Sequence, residues 1–122
     1  MKLLFCSTAL LVGVTSAQAV TPDDPLPTQI LTCGGSVITD TGINSSRSIT
    51  SVSYKNGLDT WSWETIQAVI NSRKGDHILI CLVFIPEHCP EGDTRGKVYT
   101  TTNLRTLESW TAQNSEHSCG GA

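Results

Sequence analysis

His77, Glu87, His88, Arg95, Glu116 and His117 are the side chains of this sequence best suited to moving a proton or holding an anion. A carboxylate base, an imidazole acid and a guanidinium are the groups that an RNA-cleaving hydrolase needs to pass a proton and steady a phosphate. Glu87, His88, Arg95 and His117 supply those types. Their spacing matches no catalytic string, however: the chain has no G-x-S-x-G, H-E-x-x-H, Walker loop or G-x-G-x-x-G. The plainer reading is a set of solvated loop side chains, and no catalytic residue is assigned. Glu87, His88, Arg95, Glu116 and His117 are instead candidate binding residues, on an expected contact surface made of the 86–96 loop and the 113–117 tail that a second disulfide groups with it, because loops carried on a rigid scaffold are where contact groups collect.

Trp61 joins them. It stands two residues before Trp63, so the two cannot share one helical face. A Trp outside the core beside polar residues either marks a contact surface or packs as a staple on its own turn.

The cysteines offer a second chemistry. His77 and Cys81 stand four apart, His88 adjoins Cys89, and His117 lies two before Cys119, but no Cys-x-x-Cys knuckle occurs and Cys81 sits in an apolar run. Disulfides are therefore expected in place of zinc, and no metal or cofactor is implied. Met1-Lys2, the apolar stretch 3–14 and Ala17-Gln18-Ala19 have the order of a secretory signal peptide cut after Ala19. Its apolar core is too short to anchor in a bilayer, which needs about 20 residues. Its removal takes Cys6 and leaves Cys33, Cys81, Cys89 and Cys119, an even set suited to an oxidising compartment. Cys81 and Cys89 are poor partners, since an extended strand separates them by about 3.3 Å per residue. Of the two remaining arrangements, Cys33–Cys81 with Cys89–Cys119 is preferred over Cys33–Cys89 with Cys81–Cys119. It follows if the hairpin of 97–102 and 108–111 continues antiparallel from residues 78–85, so that 108–111 runs parallel to them and brings Cys89 and Cys119 to one edge.

The 122 residues, 39% hydrophobic, allow one globular domain, and a net charge of −3 argues against a nucleic-acid platform. Residues 20–29, with three prolines and two aspartates, read as a flexible leader before a single domain over 30–122. Residues 30–39 look like a first strand interrupted by Gly34-Gly35, and 40–47 like a polar loop. That loop holds Asn44-Ser45-Ser46, an N-glycosylation sequon with Asn44 as the candidate. Residues 48–54 suit an edge strand or a helix entry, and Lys55-Asn56-Gly57 a turn.

Trp63, Ile66, Val69 and Ile70 recur at spacings of three and four, which predicts an amphipathic helix capped by Asp59, Thr60 or Ser62 and stopped at Gly75. The apolar run 78–85 reads as a central strand covered on both faces. Residues 97–102 and 108–111 read as a hairpin. The expected fold class is α+β, a small antiparallel-rich sheet of four to five strands with one helix packed across it and two disulfides.

The stretch from Arg95-Gly96-Lys97-Val98-Tyr99-Thr100-Thr101-Thr102-Asn103-Leu104-Arg105-Thr106 to Ser118-Cys119-Gly120-Gly121-Ala122 resembles the end of small secreted cysteine-containing proteins of filamentous fungi, many of them treated as effectors. The resemblance covers residues 95–122 and carries no catalytic residue. It implies secretion, disulfides and action on a host or competitor. The expected protein is thus a secreted, extracellular, monomeric effector-like binder of a host or microbial macromolecule, with no nucleic-acid partner and no membrane anchor. Such a protein would modulate immunity or cause cell death. A small ribonuclease-like hydrolase is the alternative.

Overall fold

The computed structural model describes residues 9, 10, 13 and 19–121. Apart from positions 9, 10, 13 and 19, the signal peptide expected over 1–19 lies outside the described residues. Six strands form the domain: β1 (Cys33–Asn44), β2 (Ile49–Tyr54), β3 (Asp59–Ser62), β4 (His77–Phe84), β5 (Val98–Asn103) and β6 (Ser109–Gln113). They close into a barrel in the order β1-β2-β3-β6-β5-β4, each antiparallel to its neighbours. A single short helix, α1 (Gln67–Ile70), lies between β3 and β4.

The α+β expectation is overturned by this closure, and the packed helix shrinks to four residues. Of its supposed apolar face, Val69 is buried and Ile66 packs at the core margin, but Trp63 and Ile70 are 54% and 45% exposed. Residues 59–62, expected to cap the helix, are strand, and Ile66 occupies the N-cap without a side-chain cap bond. The physical reason lies in alternation. Thr60 points inward at 1% exposure while Trp61 points outward, and β3 is needed to join β2 to β6. Residues 40–44, expected in a loop, extend β1 past a register shift between Ile38 and Asp40 to pair with β2. One strand thus serves two neighbours, β4 with its first half and β2 with its second.

The barrel interior takes every second residue. Ile78, Ile80 and Leu82 of β4 are fully buried, whereas Leu79, Cys81 and Val83 are only partly covered, so the run expected to be covered on both faces is covered on one. Val52, Tyr54, Ile38, Tyr99 and Trp110 complete the apolar filling. Each such side chain contributes roughly 1.5–3 kcal/mol relative to exposure. Hydroxyls share this interior: Tyr54 Oη lies 3.1 Å from Thr101 Oγ1 and 3.4 Å from Thr60 Oγ1. Burial pushes the Tyr54 phenol above its ordinary range, which keeps it neutral and able to donate.

Two ties hold the ends. Cys33 and Cys81 are direct partners in the β1–β4 ladder and form one disulfide. At the end near α1, Asn103 Nδ2 donates to Ser72 Oγ (2.9 Å) and to Asp76 Oδ2 (2.8 Å), fixing the β5 terminus to the connection that carries the helix. Residues 20–29 lie against β1. Asp24 Oδ2 accepts the Gly35 N–H at 2.9 Å, Lys55 Nζ meets Asp23 at 2.5 Å, and Leu26 packs at the core margin.

Candidate functional site

The outer face of the barrel carries one row that crosses five strands. Gly42 on β1 pairs with Ser51 on β2, Ser51 with Trp61 on β3, Trp61 with Gln113 on β6, and Gln113 with Val98 on β5. Because cross-strand partners point to the same side, the Trp61 indole stands over this row with small or polar neighbours on both sides. A Cβ at Gly42 would come within 2.5 Å of Ser51 Oγ, so the floor beside Trp61 is as low as a strand allows. Trp61 consequently divides two clefts. One, of about 300 Å³, is lined by Gly42, Ile43, Asn44, Ile49 and Ser51. The other, of about 340 Å³, is lined by Trp63, Glu64, Val98, Thr111 and Gln113.

Trp63 lies two residues beyond Trp61 and half in solvent, yet it is held. Its Nε1 donates to the Glu116 carbonyl at 3.0 Å, the Gln113 amide donates to the same oxygen at 3.3 Å, and its ring centroid is 6.1 Å from that of His117. The tail that supplies these contacts is fixed in turn. Asn114 Oδ1 accepts the Gly96 and Lys97 N–H groups at 2.8 and 3.2 Å, and the second disulfide joins Cys89 to Cys119. Asp93 accepts both Arg95 Nε (3.0 Å) and Arg95 Nη2 (2.9 Å), together with the Gly120 N–H (3.0 Å). The Arg95 hydrogen bonds hold the Asp93 carboxyl well below the usual carboxylate range, and Asp93 raises Arg95 in return.

The structure therefore gathers the loop of residues 86–96 and the tail of residues 113–121 beside each other, and divides the expected site residues among different tasks. Glu116 and His117 reach the Trp61 face through Trp63. Arg95 is committed to Asp93 and to the Gly121 carbonyl, 3.1 Å away. Glu87 and His88 stand outside the clefts, 3.9 Å apart, with their side chains 87% and 95% exposed. His77 opens β4 and accepts the Leu104 N–H with its carbonyl. Asn44 ends β1 on the rim of one cleft. Its Oδ1 accepts Ser46 Oγ at 2.8 Å within the sequon. Among the described residues no three His, Cys, Asp or Glu side chains are placed to hold a metal.

Two contributors are not legible in the sequence: Trp63 reads as part of a helix face and so as core, and Gly42 carries no motif. Gln113 is legible only as the start of the 113–117 tail of the expected contact surface. The alternation Thr60-Trp61-Ser62-Trp63, period two in place of three or four, is the signal that could have placed both indoles on one outer face.

No family profile, curated protein or solved structure matches the chain. The two disulfides belong to a chain in which no helix among the described residues is long and apolar enough to cross a membrane.

Proposed function

We propose that this chain is a secreted effector-like protein that binds a macromolecule of a host or competing organism without turning it over. The contact surface is the Trp61 face, with Trp63, Glu116 and His117 at its border. The observation that carries this reading is the outward Trp61 standing between two clefts while its neighbour Trp63 is held by the tail. A large amphipathic ring in a prearranged setting costs little ordering entropy on contact, which is why Trp is enriched at binding hot spots. The leader-like residues 1–19 and the two disulfides support secretion.

The hydrolase alternative receives less support. Proton transfer needs an acid and a base facing one substrate atom. Glu87 and His88 instead lie side by side in solvent, His117 packs on Trp63, and Arg95 is bound to Asp93. The test applies purified oxidised protein to plant tissue and to fungal and bacterial cultures, beside a reduced and alkylated control. A response such as cell death that requires the oxidised fold and weakens in Trp61→Ala is expected. RNA turnover that disappears in His88→Ala or His117→Ala would replace the binding reading with the hydrolytic one.

A further inference from the structure

We infer that the Trp61 face binds an uncharged polysaccharide, with the indole stacked on the C–H face of a sugar ring and the two clefts receiving the units on either side. This deepens the binding reading above and rests on it.

The chemistry of the lining selects the ligand class. Trp61, Trp63, Ile43, Ile49 and Val98 give both clefts a mainly apolar floor, and Ser51, Ser62, Thr111, Gln113 and Asn44 edge it with uncharged hydroxyls and amides, to which Glu64 adds one carboxylate. No Lys, Arg or His lines either cleft among the described residues. A polyanion, whether nucleic acid or an acidic lipid surface, would find no cation there to replace its counterions and would meet Glu64. Thr111 Oγ1 already pairs with Thr100, Gln113 Nε2 with the Glu116 carbonyl and Asn44 Oδ1 with Ser46, so an apolar helix or side chain would leave without a partner chiefly Ser51 Oγ, Gln113 Oε1 and Asn44 Nδ2, at about 1–3 kcal/mol for each one buried. A sugar ring answers both demands, with one face of C–H bonds for the indole and hydroxyls around its edge for the polar rim.

The shape agrees. The row from Gly42 to Gln113 crosses three strand spacings of about 4.8 Å each, so the two clefts form a shallow track across the strands with Trp61 at its middle. Gly42 and Ser51 keep one flank low, and Val98 and Thr111 keep the other low, so an extended chain can run past the ring. Trp63 is fixed before any ligand arrives, and stacking on prearranged aromatic rings loses little side-chain freedom.

The test is titration calorimetry with cellohexaose, laminarihexaose and chitohexaose, using hexagalacturonate as the anionic control, followed in parallel by tryptophan fluorescence. At least one neutral hexamer is expected to bind, and hexagalacturonate at least tenfold more weakly. Trp61→Ala should weaken binding at least tenfold and Trp61→Phe less, both with unchanged melting temperature within a few degrees, because Trp61 lies outside the core. Failure of all three neutral hexamers at millimolar concentration would overturn the inference, as would binding indifferent to Trp61→Ala or equal binding of the anionic hexamer. If Trp61→Ala abolishes the tissue or culture response while no neutral hexamer binds, the polysaccharide is wrong and the ligand is of another class, such as a protein. If Trp61→Ala changes neither, the binding reading fails with it.

Discussion

Arg105 closes its guanidinium on both carboxylate oxygens of Asp76, with Nε 2.8 Å from Oδ1 and Nη2 3.0 Å from Oδ2. The same Asp76 accepts Asn103 Nδ2 and the Arg73 N–H, and Arg105 also donates to the Asn71 carbonyl at 2.9 Å. One carboxylate therefore ties the start of β4, the end of β5 and the connection carrying α1. The Asp76 side chain is only 8% exposed and its bond from Asn103 is buried, whereas Arg105, 40% exposed, reaches it from the solvent side.

Asp76→Ala leaves one N–H of Asn103 Nδ2 and one edge of the Arg105 guanidinium without a partner, while the Asn103 bond to Ser72 remains. Leaving a buried polar partner unsatisfied costs about 1–3 kcal/mol. A loss of that size is expected in denaturant titration, with the disulfides intact. A change below about 0.5 kcal/mol, typical of substitutions on an open surface, would mean that the cluster does not hold this end.

Acid should expose the same tie. The Arg105 hydrogen bonds, with those of Asn103 and Arg73, hold the Asp76 carboxyl well below the usual carboxylate range. A carboxyl depressed in the folded state stabilises fully above its unfolded pKa of about 3.9 and loses that contribution as pH falls further. Asp93 shifts in the same direction through Arg95. Melting temperature is expected to hold from neutral pH to about pH 5 and to fall below about pH 4. In Arg105→Ala that acid fall should be shallower, from a lower starting point.

The Cys89–Cys119 bridge spans 30 residues of sequence, for which the chain-entropy account gives roughly 3–4 kcal/mol. In a Cys89→Ala/Cys119→Ala double variant the barrel ladders should persist, because neither residue belongs to a strand. The expected change is local: faster amide exchange over 114–121 and a Trp63 emission shifted towards that of a solvated indole. Loss of the far-ultraviolet strand signal at room temperature would contradict this.

Gly35→Ala tests whether residues 20–25 belong to the domain. A Cβ on Gly35 would collide with the Thr21 carbonyl and stand 2.5 Å from Val20 Cγ1, so the segment must move away from β1. That motion breaks the Gly35 N–H bond to Asp24. Overpacking of this kind costs about 1–3 kcal/mol. Limited proteolysis should cut 20–29 earlier in the variant than in the parent, and equal rates would show that the segment does not lean on β1.

Strands were the legible part of the fold. The runs that became β2, β4, β5 and β6 stand out by alternation or by β-branched content, and the pairings Cys33–Cys81 and Cys89–Cys119 agree with the direction of the last hairpin. The barrel itself was not legible, because closure depends on β3, whose four residues are three polar side chains and Trp61 and read as the capping segment of a helix. Spacings of three and four over Trp63, Ile66, Val69 and Ile70 are too few to separate a helix from a strand followed by one helical turn. The bent β1 was hidden for a similar reason, since Asp40, Thr41 and Gly42 have loop chemistry and are strand only because β2 pairs with them. At the site, Trp61 could be suspected from its polar neighbours. Gly42 could not, since its part in it comes from lateral register and not from nearness in the chain, and Gln113 is legible only as the start of the polar tail, not as the partner of Trp61.

Five of the six ladders of this barrel are stitched by four or more residue pairs, and the sixth, between β3 and β6, by the single pair Trp61 and Gln113. A cylinder so joined has a zip. The amides flanking that pair can part from each other while the other seams stay shut, so the wall has one place where it can breathe at less than the cost of global unfolding. The same place lies under the indole, and any molecule that straddles Trp61 from Ser51 to Gln113 would clasp the two lips of the opening. Such a ligand would act as a fastener, slowing exchange in β3 and β6 far more than in the rest of the barrel.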